Sequence, residues 1–327
     1  LGIIYYLAEY VPRDMNKSIH YLTLSSNQNN SDAQYLLGII YYLAEYVPRD
    51  MNKSIHYLTL SSNQNNSNAQ YLLGIIYYLA KYVPRDMNKS IHYFTLSSNQ
   101  NNVFHKISAF YLGFIYSTKI LNKQNFTESI RYYKEGSSLN NVKCKNNLGV
   151  IFYNGLDNKK NTQYAMELFN EAIRLENDPV SMYNLSIIYF YEKIKENYLK
   201  KAIELLLNSY NQNFKEGAEF LCLVLVTFCE EISLEKIKEI LNKFNNADDR
   251  LSYHLYHIIK TNRMEKSVSN SNYETFYEFY KTQSYMFNII GPPTPVYDTI
   301  NLKFEDDKKE NIYPNQKEIN SLFYEGF

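Results

Sequence analysis

The stretch Leu1-Gly2-Ile3-Ile4-Tyr5-Tyr6 occurs again, without change, at residues 37–42 and at residues 73–78. Successive copies lie 36 residues apart. A self-similar pattern at such a period is the sequence signature of a stacked-repeat architecture. The copies differ at few positions, among them Glu9 and Glu45 against Lys81, Asp32 against Asn68, and Leu22 and Leu58 against Phe94. The chain therefore contains a tandem duplication of one structural unit.

The pattern continues beyond the near-identical copies in a weaker form. The Leu-Gly pair returns as Leu112-Gly113 and Leu148-Gly149, and then as Leu185-Ser186 and Leu221-Cys222. Sixteen residues after the glycine position lies a small residue, namely Ser18, Ser54, Ser90, Ser129, Ala165 and Ala202. We therefore expect repeats 1 to 7 near residues 1–30, 31–66, 67–102, 103–141, 142–178, 179–214 and 215–247, a degenerate repeat at 248–290, and an irregular tail at 291–327.

Each repeat has the pattern of two helices, A and B. In repeat 2 the segment Ser31-Asp32-Ala33-Gln34 has the form of a capping box, which predicts that helix A begins at Asp32. Val47-Pro48 interrupts the apolar run, and Asp50 is placed to cap helix B. Asn65-Asn66 ends it, since Asn tolerates a left-handed backbone. One helix pair cannot bury its apolar face, so we predict an all-α solenoid of stacked helix–turn–helix repeats.

Small residues at the two landmark positions indicate close helix packing. Gly38 on helix A and Ser54 on helix B would allow the two helices to approach each other closely. A larger side chain at either position would overpack the contact, at a cost of about 1–3 kcal/mol.

The spacing resembles that of the Sel1-like repeat, a relative of the tetratricopeptide repeat with a longer inter-helix loop. The resemblance rests on Tyr153-Asn154-Gly155 in repeat 5 and on the segments of repeat 2 that read Ala33-x-Tyr35-x-Leu37-Gly38-x-x-Tyr41-Tyr42, Val47-Pro48-x-Asp50 and Lys53-Ser54-Ile55. Repeat 2 departs from the family by carrying Leu43-Ala44 in place of Asn-Gly, and Ser61-Ser62 in place of Ala-Ala. The resemblance covers about three-quarters of the chain and implies a right-handed superhelical α-solenoid.

Composition narrows the range of partners. The chain has 34 Lys and Arg residues against 34 Asp and Glu residues, so no global field attracts nucleic acid or an acidic membrane. The longest uncharged apolar stretch, residues 220–229, is too short to span a bilayer. The three cysteines (Cys144, Cys222 and Cys229) are typical of buried thiols in a reducing compartment. We expect a cytoplasmic protein, with a luminal location as the alternative because sequons such as Asn52-Lys53-Ser54 recur.

Residue patterns for catalysis and metal binding are weak. The sequence has no phosphate-binding glycine loop, zinc-protease, hydrolase or kinase motif. His20, His56 and His92 are repeat-related and lie on successive B helices, too far apart for one metal ion, whose bonds to nitrogen are about 2 Å long. We therefore expect no catalytic residue, no cofactor and no metal.

The resemblance also implies where a partner would bind. In tetratricopeptide relatives helix A lines the concave groove, and by position this chain would present a stripe of large side chains there. The stripe consists of Tyr35, Ile39, Tyr42, Tyr71, Ile75, Tyr78, Phe110, Phe114, Val150, Tyr153, Tyr183 and Ile187. Tyrosine is enriched in interface hot spots, which favours a protein or peptide ligand. The alternative is that these side chains form the core between repeats.

The functional prediction is a non-enzymatic scaffold or adaptor that binds a protein or peptide along this face. One alternative is a regulatory or targeting array of a longer catalytic chain, such as a protein kinase, because Leu1 falls inside helix A and folded protein is expected upstream. Another is a quality-control scaffold of the endoplasmic reticulum. A hydrolase built on the solenoid is a third, which no nucleophile–base pair supports. The sequence predicts nothing about oligomeric state.

Overall fold

The computed structural model describes residues 1–7, 14–44, 47–100, 103–118, 124–156, 160–192 and 198–214, with residues 216–218, 220, 221 and 224. Within these residues the chain forms helices and no strand. The helices are α1 (Gly2–Leu7), α2 (Met15–Asn27), α3 (Ser31–Leu43), α4 (Met51–Asn63), α5 (Ser67–Leu79), α6 (Met87–Ser98), α7 (Val103–Ser117), α8 (Phe126–Ser138), α9 (Val142–Asn154), α10 (Thr162–Glu176), α11 (Pro179–Glu192) and α12 (Tyr198–Asn211). The expectations for residues 248–290 and 291–327, and nearly all of repeat 7, lie outside the described residues.

Consecutive helices pack against each other from α1 to α7 and from α8 to α12, which confirms the predicted all-α solenoid. Odd-numbered helices are the A helices and even-numbered helices the B helices, and α3 with α4, α5 with α6, α9 with α10 and α11 with α12 form the tightest pairs. Each of α2, α4 and α10 also contacts the A helix that follows it. The described residues divide into an N-terminal body that ends at Gln124 and a C-terminal body that begins at Asn125.

The helix starts are set by short polar side chains. Asp50 caps α4 as predicted, because its Oδ1 accepts a hydrogen bond from the Lys53 backbone N–H at 2.9 Å. The prediction for helix A was wrong by one residue: α3 begins at Ser31, and Asn30 is its cap, accepting from the Ala33 N–H at 2.8 Å. Gln34 does not close a capping box. Its amide points toward the carbonyl oxygen of Ser26 in repeat 1, 3.4 Å away.

The helix ends use left-handed backbone conformations. Asn65 follows α4 with φ of 61°, as the sequence predicts for this residue. Ala44 and Ala80, which end α3 and α5, also have positive φ values of 61° and 56°. Gly155 occupies the same position in repeat 5 with φ of 63°. The loop between helices A and B therefore starts in the same way whether alanine or glycine is present.

The two landmark positions meet across each of the first three helix pairs. The Ser54 hydroxyl donates to the Gly38 carbonyl at 2.7 Å. A Cβ atom on Gly38 would lie only 2.5 Å from Cγ of Leu58, so the expected close approach of α3 and α4 is confirmed. The same hydroxyl–carbonyl bond joins Ser18 to Gly2 and Ser90 to Gly74, each at 2.9 Å.

Equivalent residues build the core at successive junctions in the N-terminal body. The cluster between repeats 1 and 2 contains Tyr6, Leu22, Ala33, Leu36, Leu37 and Ile40. The cluster between repeats 2 and 3 contains their counterparts Tyr42, Leu58, Ala69, Leu72, Leu73 and Ile76, together with Tyr35 and Ile39. Two adjacent junctions thus use the same side chains 36 residues apart.

Candidate functional site

Most of the predicted stripe lies inside the protein. Nine of its side chains are at most 9% exposed, and these are Tyr35, Ile39, Tyr42, Tyr71, Phe110, Val150, Tyr153, Tyr183 and Ile187. Ile75, Tyr78 and Phe114 are half-buried and retain surface. The part of the stripe that a partner could reach in the folded chain therefore lies on α5 and α7, within the N-terminal body.

The buried aromatic side chains pack across repeat junctions. The Tyr71 ring of repeat 3 lies 4.9 Å from that of Phe104 and 6.2 Å from that of Tyr111, both in repeat 4, measured between centroids. In the C-terminal body the Tyr183 ring of repeat 6 contacts that of Phe220 in repeat 7 at 6.0 Å. Burial raises the pKa of the Tyr35 hydroxyl far above its usual value, so this group stays neutral at any physiological pH. These rings hold repeats together.

Tyr78 connects the core to the surface at the end of α5. Its ring meets that of Tyr111 edge-on, with centroids 5.5 Å apart, while part of the side chain remains exposed. Burial raises the pKa of the Tyr78 hydroxyl, and the nearby positive charge of Arg85 offsets part of that rise. An aromatic side chain of this kind, anchored on one side and exposed on the other, is suited to contact a partner.

Arg49 joins the loops of repeats 2 and 3. Its Nε donates to the Tyr42 carbonyl at 2.9 Å, and its Nη2 donates to the Leu43 carbonyl at 3.2 Å. Its guanidinium lies over the Tyr82 ring, with Cζ 3.9 Å from the centroid, and the ammonium of Lys81 lies 5.1 Å from the same centroid. Two cations are thereby positioned around one half-buried tyrosine.

Arg49 and Lys81 are exposed and contact the half-buried Tyr82, and the exposed Arg85 lies near enough to the half-buried Tyr78 to lower the pKa of its hydroxyl. We call these five residues the basic edge. Sequence reasoning placed only Tyr78 in a site. The signal that could have identified the edge is the change from Glu45 to Lys81 between otherwise near-identical repeats.

A second surface pattern occurs in each of the first three repeats, where a tyrosine of helix A stacks on a tyrosine of helix B. In repeat 2 the rings of Tyr41 and Tyr57 stack in parallel at 6.1 Å, and the Lys53 ammonium lies 5.0 Å above the Tyr41 ring. Lys53 also pairs with Asp50 at 3.4 Å. Repeats 1 and 3 reproduce the tyrosine stack as Tyr5 with Tyr21 and Tyr77 with Tyr93. Because each lysine already has an aspartate partner in its own repeat, this surface carries little net charge.

The repeat-related histidines His20, His56 and His92 are exposed, and each ring lies against a neighbouring tyrosine. The rings of His56 and Tyr57 meet edge-on at 5.4 Å, and the same arrangement holds for His20 with Tyr21 and His92 with Tyr93. In the part of the chain that the structure describes, no group of three or more His, Cys, Asp or Glu side chains is arranged to hold a metal ion. Of the predicted buried thiols, Cys144 is free and fully buried, which raises its pKa. Cys222 and Cys229 lie outside the described residues.

The C-terminal body contains a buried polar network that the sequence did not predict. The Asn146 Oδ1 accepts from the Asn184 amide at 2.8 Å and from the Ser181 hydroxyl at 3.2 Å. The Asn147 amide donates to the Tyr133 hydroxyl at 3.0 Å. All four polar residues on α9 and α11 are fully buried. The network ties α9 to α11 through side chains that share their hydrogen bonds, a structural role.

An ion pair between a buried lysine and a partly exposed glutamate lies next to this network. Lys145 donates to Glu171 at 2.6 Å, and its side chain is only 7% exposed. In repeats 2 and 3 the same position holds Gln34 and Gln70, and Gln34 accepts a hydrogen bond from Gln64 at 2.6 Å. Repeats 2, 3 and 5 therefore each tie the start of helix A to their own second half, through paired glutamines in repeats 2 and 3 and through an ion pair in repeat 5.

Comparison with known proteins adds a family and a fold. The model of a family described as the Sel1 repeat matches residues 1–30, 31–66, 67–102, 107–141, 142–177 and 179–214. A protective antigen of uropathogenic Escherichia coli strains that displays an SLR fold is similar in structure, with a TM-score of 0.67 and 19% identity over 86% of this chain. A Sel1 repeat protein from Oxalobacter formigenes gives a TM-score of 0.61 and 18% identity, covering 76% of this chain and 96% of that protein.

This chain spans 59% of the length of the E. coli antigen. None of the curated proteins compared matches its sequence. None of the helices in the described part of the chain combines the length and the apolar character that crossing a membrane requires.

Proposed function

The chain belongs to the Sel1 repeat family, whose members are generally protein–protein interaction scaffolds, and we propose that it is itself a non-enzymatic scaffold that binds a protein or peptide along the exposed part of its helix-A face. The observation that carries this proposal is that Ile75 and Tyr78 on α5 and Phe114 on α7 remain only half-buried, whereas the other side chains of the stripe are buried.

The contacts of Tyr78 support a binding role. The ring rests on Tyr111, so its orientation is fixed before any partner arrives, and little conformational entropy is lost on binding. Rigid aromatic side chains of this type are enriched among residues that dominate binding energy. Ile75 lies three residues before Tyr78 on α5. Residues with this spacing are neighbours on a helix surface, so the two side chains adjoin.

A cytoplasmic setting belongs to the same proposal. Cys144 is free and buried, as expected for a thiol in a reducing compartment.

The experiment is a selection of displayed peptides on the full chain, followed by binding measurements with variants. Tyr78→Ser and Phe114→Ser should each weaken selected peptides at least tenfold, since a hot-spot truncation costs about 2 kcal/mol or more. Tyr57→Ser is the matched control, because Tyr57 is also half-buried but lies on the B-helix surface. Circular dichroism reports whether each variant is folded. If the selected peptides bind all three folded variants with the same loss of affinity, the proposal is contradicted.

A further inference from the structure

The near-identical repeats differ in charge at two positions. Residues 45–89, which run from the loop of repeat 2 to the first turn of α6, contain five basic and three acidic residues. The equivalent stretch one repeat earlier, residues 9–53, contains four basic and five acidic residues. Two substitutions cause the difference, Glu45 to Lys81 and Asp32 to Asn68, and both make repeat 3 more positive.

The charge reversal falls where another cation is already held. Lys81 lies beside Tyr82, the ring on which the Arg49 guanidinium stacks from the preceding repeat. Hydrogen bonds to two carbonyls at the end of α3 fix that guanidinium. An arginine has five N–H donors, so Arg49 keeps others for an anion. The basic edge therefore presents an oriented guanidinium next to an ammonium.

The aspartates near the edge do not cancel this charge. Asp50 pairs with Lys53 at 3.4 Å, and Asp86 pairs with Lys89 at 3.5 Å. Both carboxylates also accept a backbone N–H as helix caps. The count for residues 45–89 already includes these two aspartates and Glu45, and it leaves an excess of two positive charges.

We propose that the basic edge binds an acidic segment of a partner protein, in which aspartate or glutamate side chains flank an apolar residue. The carboxylates pair with Arg49, Lys81 and Arg85, and the apolar residue packs on Tyr78. This inference rests on the proposed scaffold function and specifies the chemistry of its partner. A nucleic acid would require a basic stripe along several repeats, whereas repeat 1 has two basic and two acidic residues and repeat 2 has two basic and three acidic residues.

The test uses two synthetic fluorescent peptides and the full chain. One peptide has glutamates on both sides of a Leu-Phe pair, and the other has glutamines in place of those glutamates. Fluorescence anisotropy at about 50 mM salt should show binding of the glutamate peptide. The glutamine peptide should bind at least tenfold more weakly, and added salt should weaken binding of the glutamate peptide.

The key variant is Lys81→Glu, because repeats 1 and 2 carry glutamate at this position and the loop therefore accepts it. It should weaken binding of the glutamate peptide about tenfold, since it replaces an attraction with a repulsion. Lys200→Glu is the matched control, with the same charge change at an exposed position on α12, and it should change the affinity less than twofold.

The outcomes separate this inference from the scaffold proposal. Equal binding of the two peptides, equal effects of Lys81→Glu and Lys200→Glu, or failure of the glutamate peptide to bind would each overturn the acidic-partner inference. The scaffold proposal would survive any of these results if displayed peptides still depend on Tyr78. It would fail separately if selected peptides ignore Tyr78→Ser.

Discussion

Ala44 and Ala80 end their helices in a left-handed conformation that disfavours an L-residue with a Cβ atom. We predict that Ala44→Gly stabilises the chain by roughly 0.5–1 kcal/mol, after the flexibility that glycine adds to the unfolded chain is subtracted. Urea unfolding followed by circular dichroism measures the change. Gly155→Ala is the reverse control and should lower stability, because its Cβ would lie 3.1 Å from the Lys160 backbone nitrogen. A loss of stability in Ala44→Gly would contradict this reasoning.

Gly38 is required for a different reason, which is the space between α3 and α4. Because an added Cβ would lie 2.5 Å from Leu58 Cγ, Gly38→Ala should destabilise the chain by about 1–3 kcal/mol. A double-mutant cycle with Leu58→Ala tests the cause. Removing the leucine side chain should relieve the clash, so the double variant should lose less stability than the two single variants together. Additive losses would mean that the contact with Leu58 is not the constraint.

At the scale of helices, hydrogen bonds between buried side chains determine how α9 meets α11. Asn146→Ala removes the acceptor of the Asn184 amide and the Ser181 hydroxyl. We expect a loss of about 2–3 kcal/mol, because buried polar groups then lack this partner. Asn170→Ala is the control, since Asn170 is exposed and bonds only within its own helix, and it should change stability by less than about 0.5 kcal/mol. Equal effects would contradict the role given to the network.

The ends of α9 and α11 are joined by a contact that should depend on pH. Lys160 donates to Glu192 at 2.8 Å and lowers the pKa of that carboxyl below its usual value of 4.5, and the Tyr153 hydroxyl assists. Because the pKa is lower in the folded chain, the contact stabilises the fold above the unfolded pKa and is lost as pH falls through the folded pKa.

Thermal unfolding of the wild type and Glu192→Gln from neutral pH down to about pH 3 measures this dependence. The wild type should have the higher Tm at neutral pH, and the difference should shrink below about pH 4.5. Lys160→Gln is the second variant and should show the same narrowing. A difference that is constant over the whole range would show that ionisation of Glu192 does not contribute.

Features that depend on a few neighbouring residues were predictable from the sequence, whereas burial at the contact between two repeats was not. Asp50 was predicted correctly as a cap because capping depends on a few neighbouring residues. The different exposure of Tyr42 and Tyr78 was not predictable from the repeat itself, since both residues occupy the same position in identical hexapeptides. Tyr42 is 3% exposed, whereas Tyr78 is half-buried. The Tyr42 ring meets that of Tyr82 in the loop of the following repeat, whereas the Tyr78 ring meets that of Tyr111 on α7. The glycine spacing to the repeat that follows Tyr78 is 39 residues instead of 36.

For the whole molecule, we predict that one repeat can be removed, because the junctions between repeats 1 and 2 and between repeats 2 and 3 use equivalent side chains. Deletion of residues 31–66 brings repeat 1 against repeat 3, with Leu22 in the place of Leu58 and Tyr6 in the place of Tyr42. The shortened chain should remain folded and cooperative, with fewer nearest-neighbour contacts and a modestly lower stability. Deletion of residues 31–48 is the control, because it removes one A helix and places two B helices in succession. Calorimetry distinguishes a folded shortened chain from an unfolded one.

The shared side chains at the first two junctions have a mechanical consequence. A chain pulled from its ends in optical tweezers should release repeats 1, 2 and 3 at closely similar forces, because similar interfaces resist the load. Each event should lengthen the tether by about 12–13 nm, the extended length of 36 residues. The bonds from Gln64 to Gln34 and from Gln100 to Gln70 lie within single repeats, so each repeat should yield as one piece. The number of such repeats would then set how far the chain lengthens under load.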